Sequence, residues 1–350
     1  MRLKFHLFLT MFFGVACCVP AFAQSQLPEK KKAVLAFDIR LDKLRQNKLV
    51  ESLKLDEGVG PVQVNPSNFP IEKITRIFGA VSAPESVEEA QKIGQGGGED
   101  LPINFFVRVQ FADEATAKAA FDEMSQKGQE VEHNGKTYLK PPEGEEDAPP
   151  NMLAHLADAK TLEVGTEAYI LLPNRKVFTP PLTQVWGKMN DDAIRVAIDL
   201  ESARELVDQA MAMAKEGAPK EANMYLGLVD DIAGLQLSID LDSKNLLTLV
   251  ATGRDADSTT HLKGGLDALL GLAQGFGKQG IQAIEDKEMA DVASAILGSL
   301  KSAQQGNDVT VAIPKPTGFE AAVTKAVEQA RAAFGGFGQA PPFEPDPSEK

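Results

Sequence analysis

Apart from His6, the chain carries three histidines: His133, His155 and His261. Imidazoles three or four residues apart would share a helix face and could hold a metal, and none of these is so spaced. His133 falls beside a hairpin turn, His155 in a short apolar stretch and His261 at a helix start. A metal site would have to be assembled from distant segments, and none is assigned. Asp240, Asp242 and Asn245 cluster oxygen-bearing side chains, but no Gly or terminal Glu follows at EF-hand spacing. They read as a hairpin turn. Gly94 to Gly98 lacks the Gly-Lys-Ser/Thr ending of a phosphate loop and reads as a linker.

Nucleophile and acid–base patterns are equally sparse. No Gly-x-Ser-x-Gly elbow occurs. The acid pairs Asp191-Asp192 and Asp230-Asp231 fall at element boundaries, and adjacent residues do not face one another. Two distant carboxylates could still meet in the fold. Trp186, Tyr138, Tyr169 and Tyr225 are too scattered for a stacking platform and read as packing residues. No catalytic residue, cofactor or metal ligand is assigned.

The elements that would position any site alternate between strands and amphipathic helices. Strands are predicted at 34–37, 71–81, 102–111, 194–198, 235–241, 246–251 and 309–313. Phe106 breaks the alternation of the third. Asn134-Gly135 predicts a tight hairpin between strands at 130–133 and 136–139. Helices are predicted at 41–53, 113–127 and 201–215, with stripes at Leu262–Ala273, Met289–Leu300 and Phe319–Ala330. Gly264, Gly265, Gly271, Gly275 and Gly277 weaken the helix they share, which implies close helix approach, a break near Gly275, or mobility.

The N-terminus follows the three-part pattern of a secretory signal peptide over residues 1–23. Arg2 and Lys4 precede an apolar run from Leu7 to Val19, and Ala21-Phe22-Ala23 offers small residues at a cleavage site before Gln24. Cys17 and Cys18 are the only cysteines and would leave with the leader; Gly14-Val15-Ala16 is a poor lipoprotein box, so a lipid anchor at Cys17 is the lesser alternative. The mature chain would then be thiol-free and stabilised by packing alone. The formal net charge of −14 disfavours nucleic acid and anionic lipid as partners. No mature stretch is apolar enough to span a membrane.

Two segments resemble each other. Val34-Leu35-Ala36-Phe37-Asp38 and Arg195-Val196-Ala197-Ile198-Asp199 each precede a helix, with Asp38 and Asp199 at the junction as cap candidates. Phe111-Ala112-Asp113 matches Asp255-Ala256-Asp257 before a long helix, making Asp113 and Asp257 cap candidates. The expected fold is α+β: two similar units of antiparallel sheet with helices on one face, produced by duplication, with a cleft at their junction. The units span 24–190 and 191–334, with flexible loops near 91–100 and 141–150 and a disordered tail at 335–350. The leader, the Ala-Phe-Asp and Ala-Ile-Asp strand ends and the Ala-Asp-x-x-Thr helix opening resemble uncharacterised exported proteins of planctomycete-type bacteria. That resemblance implies no known activity.

These features point to a soluble protein of the periplasm or exterior that binds an unknown protein or small ligand without catalysis. The alternatives are a hydrolase with distant acidic residues and a carrier of an apolar ligand on the helices at 262–276 and 289–300. Mass measurement of the mature N-terminus should give a start at Gln24 or Ser25; a start at a lipidated Cys17 would overturn the soluble form.

Overall fold

The computed structural model describes residues 32–52, 71–84, 86–89, 103–126, 128–141, 151–172, 177–217, 223 and 225–335. The expected signal peptide with Cys17, the loop near 91–100, and residues 142–150 and 336–350 of the other two segments lie outside the described residues. Within them the chain forms one antiparallel sheet of twelve strands. In chain order they are β1 (Ala33–Arg40), β2 (Ile74–Ser82), β3 (Phe105–Phe111), β4 (Gln129–His133), β5 (Lys136–Lys140), β6 (Met152–Asp158), β7 (Thr161–Thr166), β8 (Ile194–Asp199), β9 (Ile232–Ile239), β10 (Asn245–Gly253), β11 (Ser302–Gln305) and β12 (Asp308–Pro314). In space they run β11-β12-β10-β9-β8-β1-β2-β3-β7-β6-β5-β4. The strands β1 and β8, which carry the similar segments, pair with each other at the centre.

Helices pack on both faces of this sheet, not on one as the sequence pattern suggested. Side chains alternate across a strand, so Ala36, Ala80, Phe106, Leu153 and Ala197 share one face. There they meet Tyr169 and Ile170 of a short helix (α4, Glu167–Ile170) and Leu182, Val185 and Trp186 of another (α5, Pro180–Lys188). Phe37, Ile77, Val109 and Leu162 share the opposite face with Ala117, Ala120, Phe121 and Met124 of α3 (Glu114–Ser125). Phe106 thus breaks the hydrophobic alternation because β3 is buried on both sides. In the second half, α6 (Arg204–Gly217) sets Leu206, Val207 and Met211 against Ile198 and Leu235. The long α7 (Ala256–Gln282) packs Leu262 against Leu228 and Val309.

Several local details depart from the sequence expectation. The helix expected at 41–53 is two, α1 (Leu41–Gln46) and α2 (Lys48–Ser52), because Asn47 is extended at φ −76° and ψ 123°. Its Oδ1 accepts from the Leu49 N–H and its amide donates to Asp242 at 2.7 Å. Asp113 caps α3, accepting from the Thr116 N–H at 2.8 Å, but the matching cap on α7 is Asp255, accepting from Ser258, with Asp257 inside the first turn. Each of these backbone hydrogen bonds holds its carboxyl below the usual carboxylate range. Asp199 accepts from the Ser202 N–H, as a junction residue should, whereas Asp38 turns into the sheet.

The β4–β5 hairpin turns at Asn134 (φ 52°) and Gly135 (φ 73°), the left-handed pair a type I′ turn requires. The glycine-rich helix α7 runs unbroken past Gly275. A Cβ at Gly265 would lie 2.3 Å from Leu228, and one at Gly277 would lie 2.7 Å from Leu297 of α8 (Lys287–Ser299). Close approach is thus realised at Gly265 and Gly277, whereas a Cβ at Gly264, Gly271 or Gly275 would meet nothing within 4 Å.

Gly165 on β7 leaves room for β3: a Cβ there would meet the Phe105 carbonyl oxygen at 2.3 Å and Phe106 Cα at 2.8 Å. Backbone cannot step aside as a side-chain tip can, so Gly165→Ala should destabilise by about 1–3 kcal/mol in urea unfolding. Gly271, with open space around it, should behave oppositely: Gly271→Ala should stabilise by up to about 1 kcal/mol through helix propensity. Equal effects at the two positions would refute this packing.

Candidate functional site

Cross-strand register builds the site. Arg195 on β8 opposes Asp38 on β1, Asp38 opposes Phe78 on β2, and Phe78 opposes Arg108 on β3. Arg108 then opposes Glu163 on β7, and Glu163 opposes His155 on β6. Tyr138 on β5 closes the row, its ring centroid 4.9 Å from that of His155. One line of charged and aromatic side chains therefore crosses seven neighbouring strands on a single face.

Burial decides how these groups pair. Asp38 is fully buried and accepts from Arg76 through both oxygens, at 2.7 Å from Nε and 2.8 Å from Nη2. Arg195 donates to the same carboxylate from the other side and lies over the Trp186 ring, 4.8 Å from its centroid. Glu163, 2% exposed, accepts from Arg108 Nε at 3.1 Å, and His155 Nε2 lies 3.0 Å from its second oxygen. Such charges survive burial only with partners of this quality. Nearby, hydrogen bonds from Lys43 and Arg40 hold the Asp191 carboxyl below its usual range, and burial pushes the Tyr169 phenol well up.

Above the row lies an open cleft of about 590 Å³ lined by Arg76, Phe78, Arg108, Gln110, Lys136, Ala157, Asp158 and Thr161. The Arg76 and Arg108 side chains are 37% and 34% exposed, so each has one edge on a buried carboxylate and another toward the cleft. They occupy diagonal positions on β2 and β3, since Arg76 opposes Gln110 and Phe78 opposes Arg108. Diagonal neighbours stand about 7–8 Å apart, within mutual reach for long side chains. Phe78 packs edge-on to Phe106 and against Phe178 and Trp186, fixing the floor between them.

The residues singled out from sequence are distributed differently. His155 belongs to the row, whereas His133 is exposed in the hairpin and His261 contacts Asp231 near the start of α7. The Asp240 carboxylate accepts from the Asp242 N–H at 2.9 Å, as in a turn. Among the described residues no group of three or more His, Cys, Asp or Glu side chains could hold a metal ion. No described helix is long and apolar enough to cross a membrane. Asp38 and Glu163 sit three strands apart, about 14 Å, well beyond the roughly 5–9.5 Å of a glycosidase carboxylate pair. The junction of β1 and β8 is continuous hydrogen-bonded sheet, and this cleft lies within the first half. Sequence reasoning missed Arg76, Arg108 and Glu163. The signal available was Arg108 and Gln110 on the polar side of an otherwise apolar strand.

Asp38→Asn would leave Arg195 buried beside a group without charge, and breaking such a pair costs about 3–5 kcal/mol. Arg76→Gln should cost less, because Arg195 still pairs with Asp38 and the Arg76 position is partly solvated. Denaturant melts of both variants check the order; an Asp38→Asn loss no larger than that of Arg76→Gln would show that the row does not anchor the sheet.

No family model and no curated protein matches the chain. Among solved structures, crystal forms IV, III and I of TP0453, a Treponema protein, are similar at 9%, 8% and 8% identity, with TM-scores of 0.38, 0.37 and 0.35. The alignments cover 84%, 87% and 87% of this chain and 93%, 98% and 98% of TP0453. At those TM-scores the likeness carries no argument about this chain.

Proposed function

We propose that this is an exported, non-enzymatic binding protein built by internal duplication, and that it binds its ligand in the cleft over the arginine row. The carrying observation is that buried carboxylates fix two arginines whose free edges face the same open space. Groups held in place before a ligand arrives lose little entropy on binding it. Asp38 is engaged by Arg76 and Arg195 and Glu163 by Arg108 and His155, which favours a structural role for them over hydrolysis. The helices α7 and α8 close on each other at Gly277 and Leu297, which disfavours an apolar carrier site between them.

Register supports the duplication. The pair Ala36↔Ala197 joins the two equivalent alanines of the similar segments, so a two-fold relation passes through it. Outward from that pair the first half runs Asp38, Phe78, Arg108, Glu163, His155. The second half runs Asp199, Gly234, Thr252, Asp308, Gln305 by the same series of pairings. Both acids recur at matching positions. Thr252 donates to Asp308 at 2.7 Å where Arg108 donates to Glu163. The arginines stand in the first half alone. Export rests on the leader pattern of residues 1–23.

A thermal-shift screen of the purified mature chain against small anions, sugars and peptides should yield a ligand that raises the melting temperature. Lys136→Glu, an exposed change at the cleft, should abolish that shift without altering the unliganded melt. Turnover of any substrate by the purified protein, or a ligand whose shift ignores Lys136→Glu, would overturn this reading.

A further inference from the structure

The ligand class follows from how the charges in the cleft balance, and this inference rests on the binding reading above. The chain as a whole is acidic, with a formal net charge of −14. Around the cleft the charges are balanced but layered: Arg76, Arg108 and Lys136 line it with Asp158, while Asp38 and Glu163 are buried beneath the two arginines. Arg195, the second partner of Asp38, also lies 3.9 Å from Asp191 and does not line the cleft. Lys136 is exposed at the far side of the same lining.

The arginine hydrogen bonds set which N–H groups stay available. Arg76 uses Nε and Nη2 on Asp38, and Arg108 uses Nε on Glu163, so N–H groups of both forks are left over from the buried carboxylates, and both side chains line the cleft. Two planar guanidiniums on diagonal positions repel each other and can both donate to a single group of oxygens placed between them. Gln110, exposed and directly opposite Arg76, adds an amide to the same wall. Phe78 lies in the floor, with the Arg76 guanidinium 6.0 Å from its ring centroid, and offers an apolar surface beside the charged one.

We infer that the cleft binds an organic oxyanion, a carboxylate or phosphate group clamped between Arg76 and Arg108 with its carbon body over Phe78. Lys136 adds attraction from the opposite rim. A cation would be repelled by the two guanidiniums and Lys136, and a purely apolar ligand would leave the guanidinium edges desolvated. Because the clamp is partly exposed, binding weakens as salt rises.

The test is isothermal titration of the full chain at low salt with benzoate, phenyl phosphate and benzyl alcohol. Benzoate or phenyl phosphate should bind and benzyl alcohol should not. The acid that binds more tightly identifies the source of the oxyanion, and either supports the inference. Gln110→Glu and Lys136→Glu, both at exposed positions, should each weaken binding by about tenfold or more while leaving the melt unchanged. Arg108→Lys, which keeps a charge for Glu163 but removes the fork, should weaken binding with little loss of fold. Benzyl alcohol binding as well as the acids, or neither acid binding, overturns the oxyanion. A neutral ligand from the thermal-shift screen that responds to Lys136→Glu would do so too, while leaving the binding reading intact.

Discussion

The sheet depends on one fully buried carboxylate. Asp38 sits on the central strand β1, between β8 and β2, and accepts hydrogen bonds from an arginine on each neighbour. An ionised carboxylate with no partner could not remain there, because desolvation alone would cost several kcal/mol. With Arg76 bidentate on one side and Arg195 on the other, the charge is held and three strands are tied at fixed register. A slip of β1 by one residue would carry Asp38 to the opposite face, toward Ile77 and Val109, and Phe37 away from them. The ion cluster therefore specifies register as much as it stabilises.

The same cluster requires the sheet to be covered on both sides in its first half. On the Asp38 face, α5 brings Trp186 over Arg195, and Phe78, Phe106 and Phe178 fill in around it. Thr179 joins the two by capping α5 through Leu182 N–H and donating its hydroxyl to Asp199 at 2.6 Å. On the other face α3 covers Phe37, Ile77 and Val109. Among the described residues the first face is left open between the edge of α5 and the β5 strand, and the cleft occupies that gap. The arginines can reach solvent because the covering layer stops short of them, while their buried ends cannot move.

Much of the fold was legible in the sequence because its signals are local. Val107, Val109 and Phe111 alternate with Arg108 and Gln110, and β3 follows that pattern. Asn134-Gly135 needs positive φ twice, and both residues have it. The helices with apolar stripes at Leu262 and Val292 formed where expected, although α7 runs longer than its stripe. The β6–β7 hairpin was missed because Leu153 and Ala154 are both buried and erase the alternation. The site was not legible for a different reason. Asp38 ends a short apolar run before a helix, which is also how a cap residue looks, and Asp199 in the similar segment does take the cap-like bond. What turns Asp38 inward is Arg76, 38 residues later, and Arg195, 157 residues later. Arg108 and Glu163 are likewise joined only once β3 pairs with β7 across 55 residues. Spacing in one sequence has no access to such pairings.

The comparison of the two halves separates what folding needs from what it does not. On the proposed duplication, Glu163 and Asp308 occupy one position, and each accepts a bond from the residue opposite on the neighbouring strand. In the second half a threonine hydroxyl is enough for that purpose. A threonine brings no net charge, no long side chain and no exposed edge. An arginine brings all three, with the desolvation and side-chain entropy that come with ordering it. That strand pairing is thus met in the second half without a guanidinium. Arg108 thus brings more than that strand pairing requires, and its free edge lines the cleft.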